Sequence, residues 1–174
     1  MKNANHQQHG FTLIELVLYV AVVSVVLGAV AGIYSMITTL RSKNQVVSEV
    51  EQQSQVVMQA ITQTIRNGKS ITTPIAGATG GSLTVVNQAS PTPTVFALSA
   101  AGAVTETDGA NALVALNSSR VVISNLSFKN YTRTGTYGMI RISFTATYYN
   151  PNNRKELVAV RNYYTSAELR GTYP

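Results

Sequence analysis

Gly10-Phe11-Thr12-Leu13-Ile14-Glu15 opens the most informative stretch of this 174-residue chain. Ten mostly polar residues end at Gly10. An apolar segment then runs from Phe11 to Leu40 with one acid, Glu15, set inside its beginning. As a helix, its continuous core from Leu16 to Ile37 is roughly 33 Å long, the apolar thickness of a bilayer. A carboxylate at the edge of such a run is costly in lipid and normally has a partner. The frequent valines are poor helix formers in water. In lipid, however, the backbone must close its own hydrogen bonds, and helix is the form available.

Working outward from that segment, the composition turns polar at Arg41 with no breaker, since neither proline nor glycine occurs between Tyr34 and Asn67. Val47, Val50, Val57, Met58, Ile61 and Ile65 recur at helical spacing with Ser54 filling a gap. That stripe predicts an amphipathic continuation whose apolar face buries against a sheet. Gly68 is the expected C-cap, with Arg66 well placed near the carboxyl end. The helix from Phe11 to about Arg66 is expected to be roughly 84 Å long. Gly28 and Gly32, four apart, suit close approach of a second helix. Glycine is also simply common in membrane spans, so both readings stand.

The rest reads as β structure. Short strands are expected at Ser82–Asn87, Thr94–Leu98 and Ala112–Leu116, with Ser99–Ala110 a flexible, turn-rich link. Arg120–Asn130 alternates, but changes phase near Asn125, which predicts a bulge. Met139–Asn150 places Ile140, Ile142, Phe144, Ala146 and Tyr148 inward and Arg141, Ser143, Thr145 and Thr147 outward, a half-buried antiparallel pattern. Asn150-Pro151-Asn152-Asn153 turns the chain, and Glu156–Thr165 returns as the hairpin partner. The domain organisation is therefore residues 1–10 as a polar start, 11–40 as a transmembrane helix half, 41–68 as an amphipathic half and 69–174 as a globular β domain.

Gly10-Phe11-Thr12-Leu13-Ile14-Glu15 and the span behind it resemble the prepilin processing site of type IV pilins and type II secretion pseudopilins. The resemblance covers about the first third of the chain. It implies an α+β, pilin-like fold: a long N-terminal helix packed on a small antiparallel sheet. It makes residues 1–10 a prepilin leader peptide and residues 11–40 a transmembrane or filament-core helix half. It also implies cleavage between Gly10 and Phe11 by a prepilin peptidase, with methylation of the new amine on Phe11. Glu15 then matches the glutamate that pairs with the terminal amine of a neighbouring subunit. Further implied partners are other pilin or pseudopilin subunits, an inner-membrane assembly platform with a separate ATPase, and the lipid bilayer. The implied location is the cytoplasmic membrane, single-pass, with the globular domain outside and later part of a pseudopilus or pilus. His9 stands where the family more often has Lys or Arg, and Gly32 where many major pilins have a kinking proline. The second departure leans toward a pseudopilin or minor subunit. Two plainer readings compete: an uncleaved signal anchor, and a membrane-anchored binding or adhesion protein that never polymerises.

The formal net charge is +6. Removal of residues 1–10 takes away Lys2, His6 and His9, leaving 12 basic and 7 acidic residues, or +5. The cations are scattered along the sequence, so no clear nucleic-acid site is visible. With no cysteine, disulfides are excluded. Without the leader there is no histidine either. No acid pair has a recognisable catalytic context and no phosphate loop occurs, so neither enzyme activity nor a cofactor is expected. Glu106 and Asp108, two apart, are thin evidence for a calcium loop, which normally draws several oxygen ligands from a denser acidic stretch. Tyr148, Tyr149, Tyr163 and Tyr164 form a tyrosine-rich hairpin, read either as ordinary sheet packing and surface or as a contact for neighbouring subunits.

Overall fold

The computed structural model describes residues 11–88, 92–109 and 111–170. The chain divides between Arg41 and Ser42 into two units. One helix, α1 (Leu13–Asn67), contributes to both.

In the first unit α1 is bare. Every residue from Phe11 to Arg41 is exposed. Its most apolar window has a mean hydropathy of 2.7, with none of it buried, and the helix is long and apolar enough to cross a membrane. Ser24, Thr38 and Thr39 direct their hydroxyls onto backbone carbonyls three or four residues back, so these polar groups stay satisfied within the helix.

In the second unit α1 buries Val46, Val50, Ser54, Val57, Ile61 and Ile65. The stripe begins at Val46 rather than Val47, because Val46 lies one full i, i+4 step before Val50. Val47 and Met58 flank it, partly buried. Ser54 sits in the apolar stripe at no polar cost, since its hydroxyl donates to the Val50 carbonyl at 2.6 Å.

Two antiparallel sheets complete this unit. The five-stranded sheet has the order β1 (Gly68–Thr73), β3 (Leu83–Asn87), β4 (Pro93–Leu98), β5 (Val104–Asp108), β6 (Val114–Ala115). The four-stranded sheet has the order β2 (Thr79–Gly80), β7 (Val121–Asn130), β8 (Met139–Tyr148), β9 (Val160–Glu168). The helix stripe and the inner faces of both sheets form one hydrophobic cluster, with Phe96, Phe128 and Ile142 fully buried. This is the pilin-like α+β fold: a long N-terminal helix packed against small antiparallel sheet structure.

Several local expectations need correction. Gly68 is not a left-handed cap; α1 runs directly into β1 there, and Gly68 is buried. A Cβ at this position would collide with the Val85 side chain and stand 3.2 Å from the Ile65 carbonyl oxygen. Close approach, not a positive φ, requires glycine. The stretch expected to be flexible contains β5, paired along its length with β4. The Ala112–Leu116 strand shrinks to Val114–Ala115. The hairpin partner starts at Val160 because Lys155–Leu157 forms a 3-10 turn first.

The β7 bulge lies where the phase change places it. The β7–β8 register shifts between Ser124 and Ser127, and Asn125 adopts φ 54°. Asparagine tolerates that left-handed conformation better than most residues. The bulge lets Val121 and Ile123 before it, and Leu126 and Phe128 after it, all face the core.

Candidate functional site at the helix start

Thr12 caps α1. Its Oγ1 accepts a hydrogen bond from the Glu15 amide at 3.3 Å, and its carbonyl accepts one from the Leu16 amide at 3.1 Å. The first contact satisfies an amide donor at the helix start that has no earlier intrahelical carbonyl to receive it, and the second is the first backbone bond of the helix. Thr12-Leu13-Ile14-Glu15 has the Thr-x-x-Glu spacing of a capping box. That signal was present in the sequence, and Thr12 is the residue that attention to Glu15 alone passes over.

Glu15 occupies the first turn, where the positive end of the helix dipole favours a carboxylate. It is exposed, and no cation among the described residues pairs with it. Thr12, Ile14, Glu15, Leu18 and Tyr19 line an open, largely apolar hollow beside it. Phe11, 74% exposed, packs edge-to-face on Tyr19 with ring centroids 6.1 Å apart. The ring at position 11 thereby folds back along the helix to reach Tyr19, one turn beyond Glu15. Gly10 lies outside the described residues.

Residues 5–31 match the prokaryotic N-terminal methylation motif. The chain carries a prepilin-type methylation motif. The motif takes in Gly10, Phe11, Glu15 and Gly28, and implicates a prepilin peptidase-type partner. No curated protein and no solved structure matches the chain. Beyond the motif, Gly28 and Gly32 lie on the exposed apolar half of α1. A Cβ built at either meets nothing within 4 Å. Nothing among the described residues packs on them.

The other candidate groups do not join this site. Glu106 and Asp108 stand two apart on β5, and Asp108 accepts hydrogen bonds from Thr94 at 3.0 Å and Asn87 at 3.5 Å. Burial, then the neighbouring Asp108 charge, raises the Glu106 carboxyl above its ordinary pKa. No cluster of three or more His, Cys, Asp or Glu occurs among the described residues. The four hairpin tyrosines do not share one surface. Tyr163 turns inward and stacks on Phe144 at 5.4 Å, whereas Tyr164 is exposed.

Proposed function

We propose that this chain is a structural subunit of a type II secretion pseudopilus or a type IV pilus, with no catalytic activity of its own. One observation carries the reading: a prepilin-type motif sits at the capped start of a helix whose following apolar stretch is entirely unburied. A surface of that kind needs either lipid or the helices of other subunits around it. Before assembly the helix spans the cytoplasmic membrane with the β domain outside. A prepilin peptidase hydrolyses the Gly10–Phe11 bond. The amine released on Phe11 is methylated and keeps its capacity for positive charge.

Assembly then uses Glu15. The helix dipole and the Thr12 cap stabilise its region locally, but the carboxylate has no cationic partner among the described residues of its own chain. In an apolar setting an unpaired carboxylate carries a desolvation penalty or takes up a proton. Pairing with the Phe11 amine of an adjacent copy lowers that penalty and sets the axial register of two helices. Head-to-tail contacts of this sort build open filaments. A separate ATPase supplies the work through an inner-membrane platform. Gly32, in place of a kinking proline, favours a pseudopilin or minor subunit.

Glu15→Ala tests this directly. The variant is expected to insert in the membrane and to show the mass of a chain beginning at Phe11, yet to be strongly depleted from sheared filaments. Wild-type incorporation would defeat the assembly role of Glu15. Retention of residues 1–10 in normally assembled wild-type filaments would defeat the whole reading.

A further inference from the structure

Lys129 and Arg141 lie directly opposite each other in the β7–β8 register. Like charges so placed destabilise a sheet. Neither is ion-paired to a carboxylate among the described residues. The one acid in the adjoining groove, Glu168, pairs across the sheet with Met139 rather than Arg141. What holds the two cations is aromatic. Lys129 Nζ lies 4.9 Å from the Tyr131 ring centroid, and the Arg141 guanidinium lies 5.7 Å from that of Tyr164. Both distances are within cation–π range. Hydrogen bonding from Lys129, and then from Arg141, lowers the pKa of the Tyr131 phenol. The result is an alternating row of cation and ring across three neighbouring segments of the sheet.

The row continues into an open groove lined by Arg133 and Tyr137 from the β7–β8 loop. Its tyrosines are well exposed: Tyr131 at 42%, Tyr137 at 47% and Tyr164 at 62%. Arg133 and Arg141 line the groove against the one lining acid, Glu168, and Lys129 stands beside it over Tyr131, which leaves it electropositive; three exposed rings give it flat apolar faces. A small anion would use the charges but not the rings. An apolar peptide would use the rings and leave the cations unmatched. A single nucleic-acid strand matches both, with phosphates along the cations and bases stacked on rings or on the Arg141 plane.

We propose that this tyrosine–arginine groove on the outer face of β7–β8–β9 binds single-stranded nucleic acid without base specificity. The proposal is independent of filament assembly and applies to the unassembled chain. The cations are separated along the sequence and meet only through the strand register, so the scattered charge seen in the primary structure conceals the patch.

The test is fluorescence anisotropy with full-length chain in neutral detergent. The probe is a labelled oligothymidylate of about 20 nucleotides, longer than the site of one binding module. Inorganic polyphosphate is the ringless competitor. Saturable binding is expected, with Tyr164→Leu weakening it roughly fivefold or more through lost stacking and Tyr164→Phe retaining it. Polyphosphate should bind more weakly and respond to neither Tyr164 variant. Lys129→Gln combined with Arg141→Gln should flatten the log–log salt dependence by roughly 1.4, about 0.7 per lost phosphate contact. Unchanged melting of each variant keeps the comparison free of folding effects, and all of these positions are exposed. Absence of saturable binding overturns the proposal. So does equal oligonucleotide affinity in Tyr164→Leu, which would mean a simple polyanion surface. Groove variants that alter only self-association would instead assign the face to a second copy of the chain, and would also overturn it.

Discussion

At the residue scale, Gly68 and Glu106 show two different costs built into the β domain. The missing side chain of Gly68 allows α1 to pass straight into β1 against Val85 and Leu169. Gly68→Ala places a methyl where a stiff β-branched side chain and a backbone oxygen already stand. Overpacking of this kind costs about 1–3 kcal/mol. Urea denaturation should show the unfolding free energy falling by that amount, seen as a lower midpoint with an unchanged slope. Glu106 acts through charge. Its folded-state pKa is raised by burial, and further by Asp108. The folded chain therefore holds that proton more tightly than the unfolded chain. The associated stabilisation is fully present below the ordinary value of 4.5 and is lost as pH rises through the raised folded value. Glu106→Gln should accordingly melt higher than wild type at pH 7, with the difference closing as pH falls below the ordinary carboxylate range. A melting series across pH checks the sign, and a gain that grows toward acid would contradict it.

At the element scale, α1 is one continuous helix whose two parts obey different rules. Ile61 is fully buried in the stripe, while Ile33 is 61% exposed in the apolar half. Ile61→Ala should destabilise the β domain by about 2–5 kcal/mol. Ile33→Ala should leave the same unfolding transition within about 0.5 kcal/mol, because no contact of that domain is removed. Denaturation of both variants in one detergent would decide this. The helix, β7 and β8 were legible in the sequence because burial on one face imposes a period that composition preserves. The bulge at Asn125 was legible for the same reason, as a change of phase. β5 was not: Val104-Thr105-Glu106-Thr107-Asp108 buries only its first two residues, so no apolar alternation marks it. Two-residue β2 is defined by its partner alone, while β6 is the paired middle of the expected Ala112–Leu116 strand. At the helix start, Phe11 and Glu15 were legible from a contiguous motif, and Thr12 had the spacing to be. The tyrosine–arginine groove was not legible, because Lys129, Arg141 and Tyr164 become neighbours only when β7, β8 and β9 pair.

At the scale of the whole molecule, the distribution of buried side chains makes a prediction about independence. Among the described residues every buried apolar one lies at Val46 or beyond, whereas everything from Phe11 to Arg41 is exposed. The first unit therefore contributes none of the core that drives folding of the second in water. It contributes instead an apolar helix with none of its residues buried among the described residues. A fragment comprising residues 42–174 retains the full buried stripe of α1, both sheets and their common cluster. It also begins in a polar part of the helix, four residues before the first buried position. Such a fragment should be soluble without detergent, elute as a single species and unfold in one cooperative transition. Its far-UV spectrum should show the mixed helix and sheet content of the second unit. The full chain should need detergent or lipid to remain dispersed. Aggregation of the fragment, or a non-cooperative melt, would mean that the apolar half of α1 is needed to fold the β domain, and the division of labour between membrane helix and folded domain would fail.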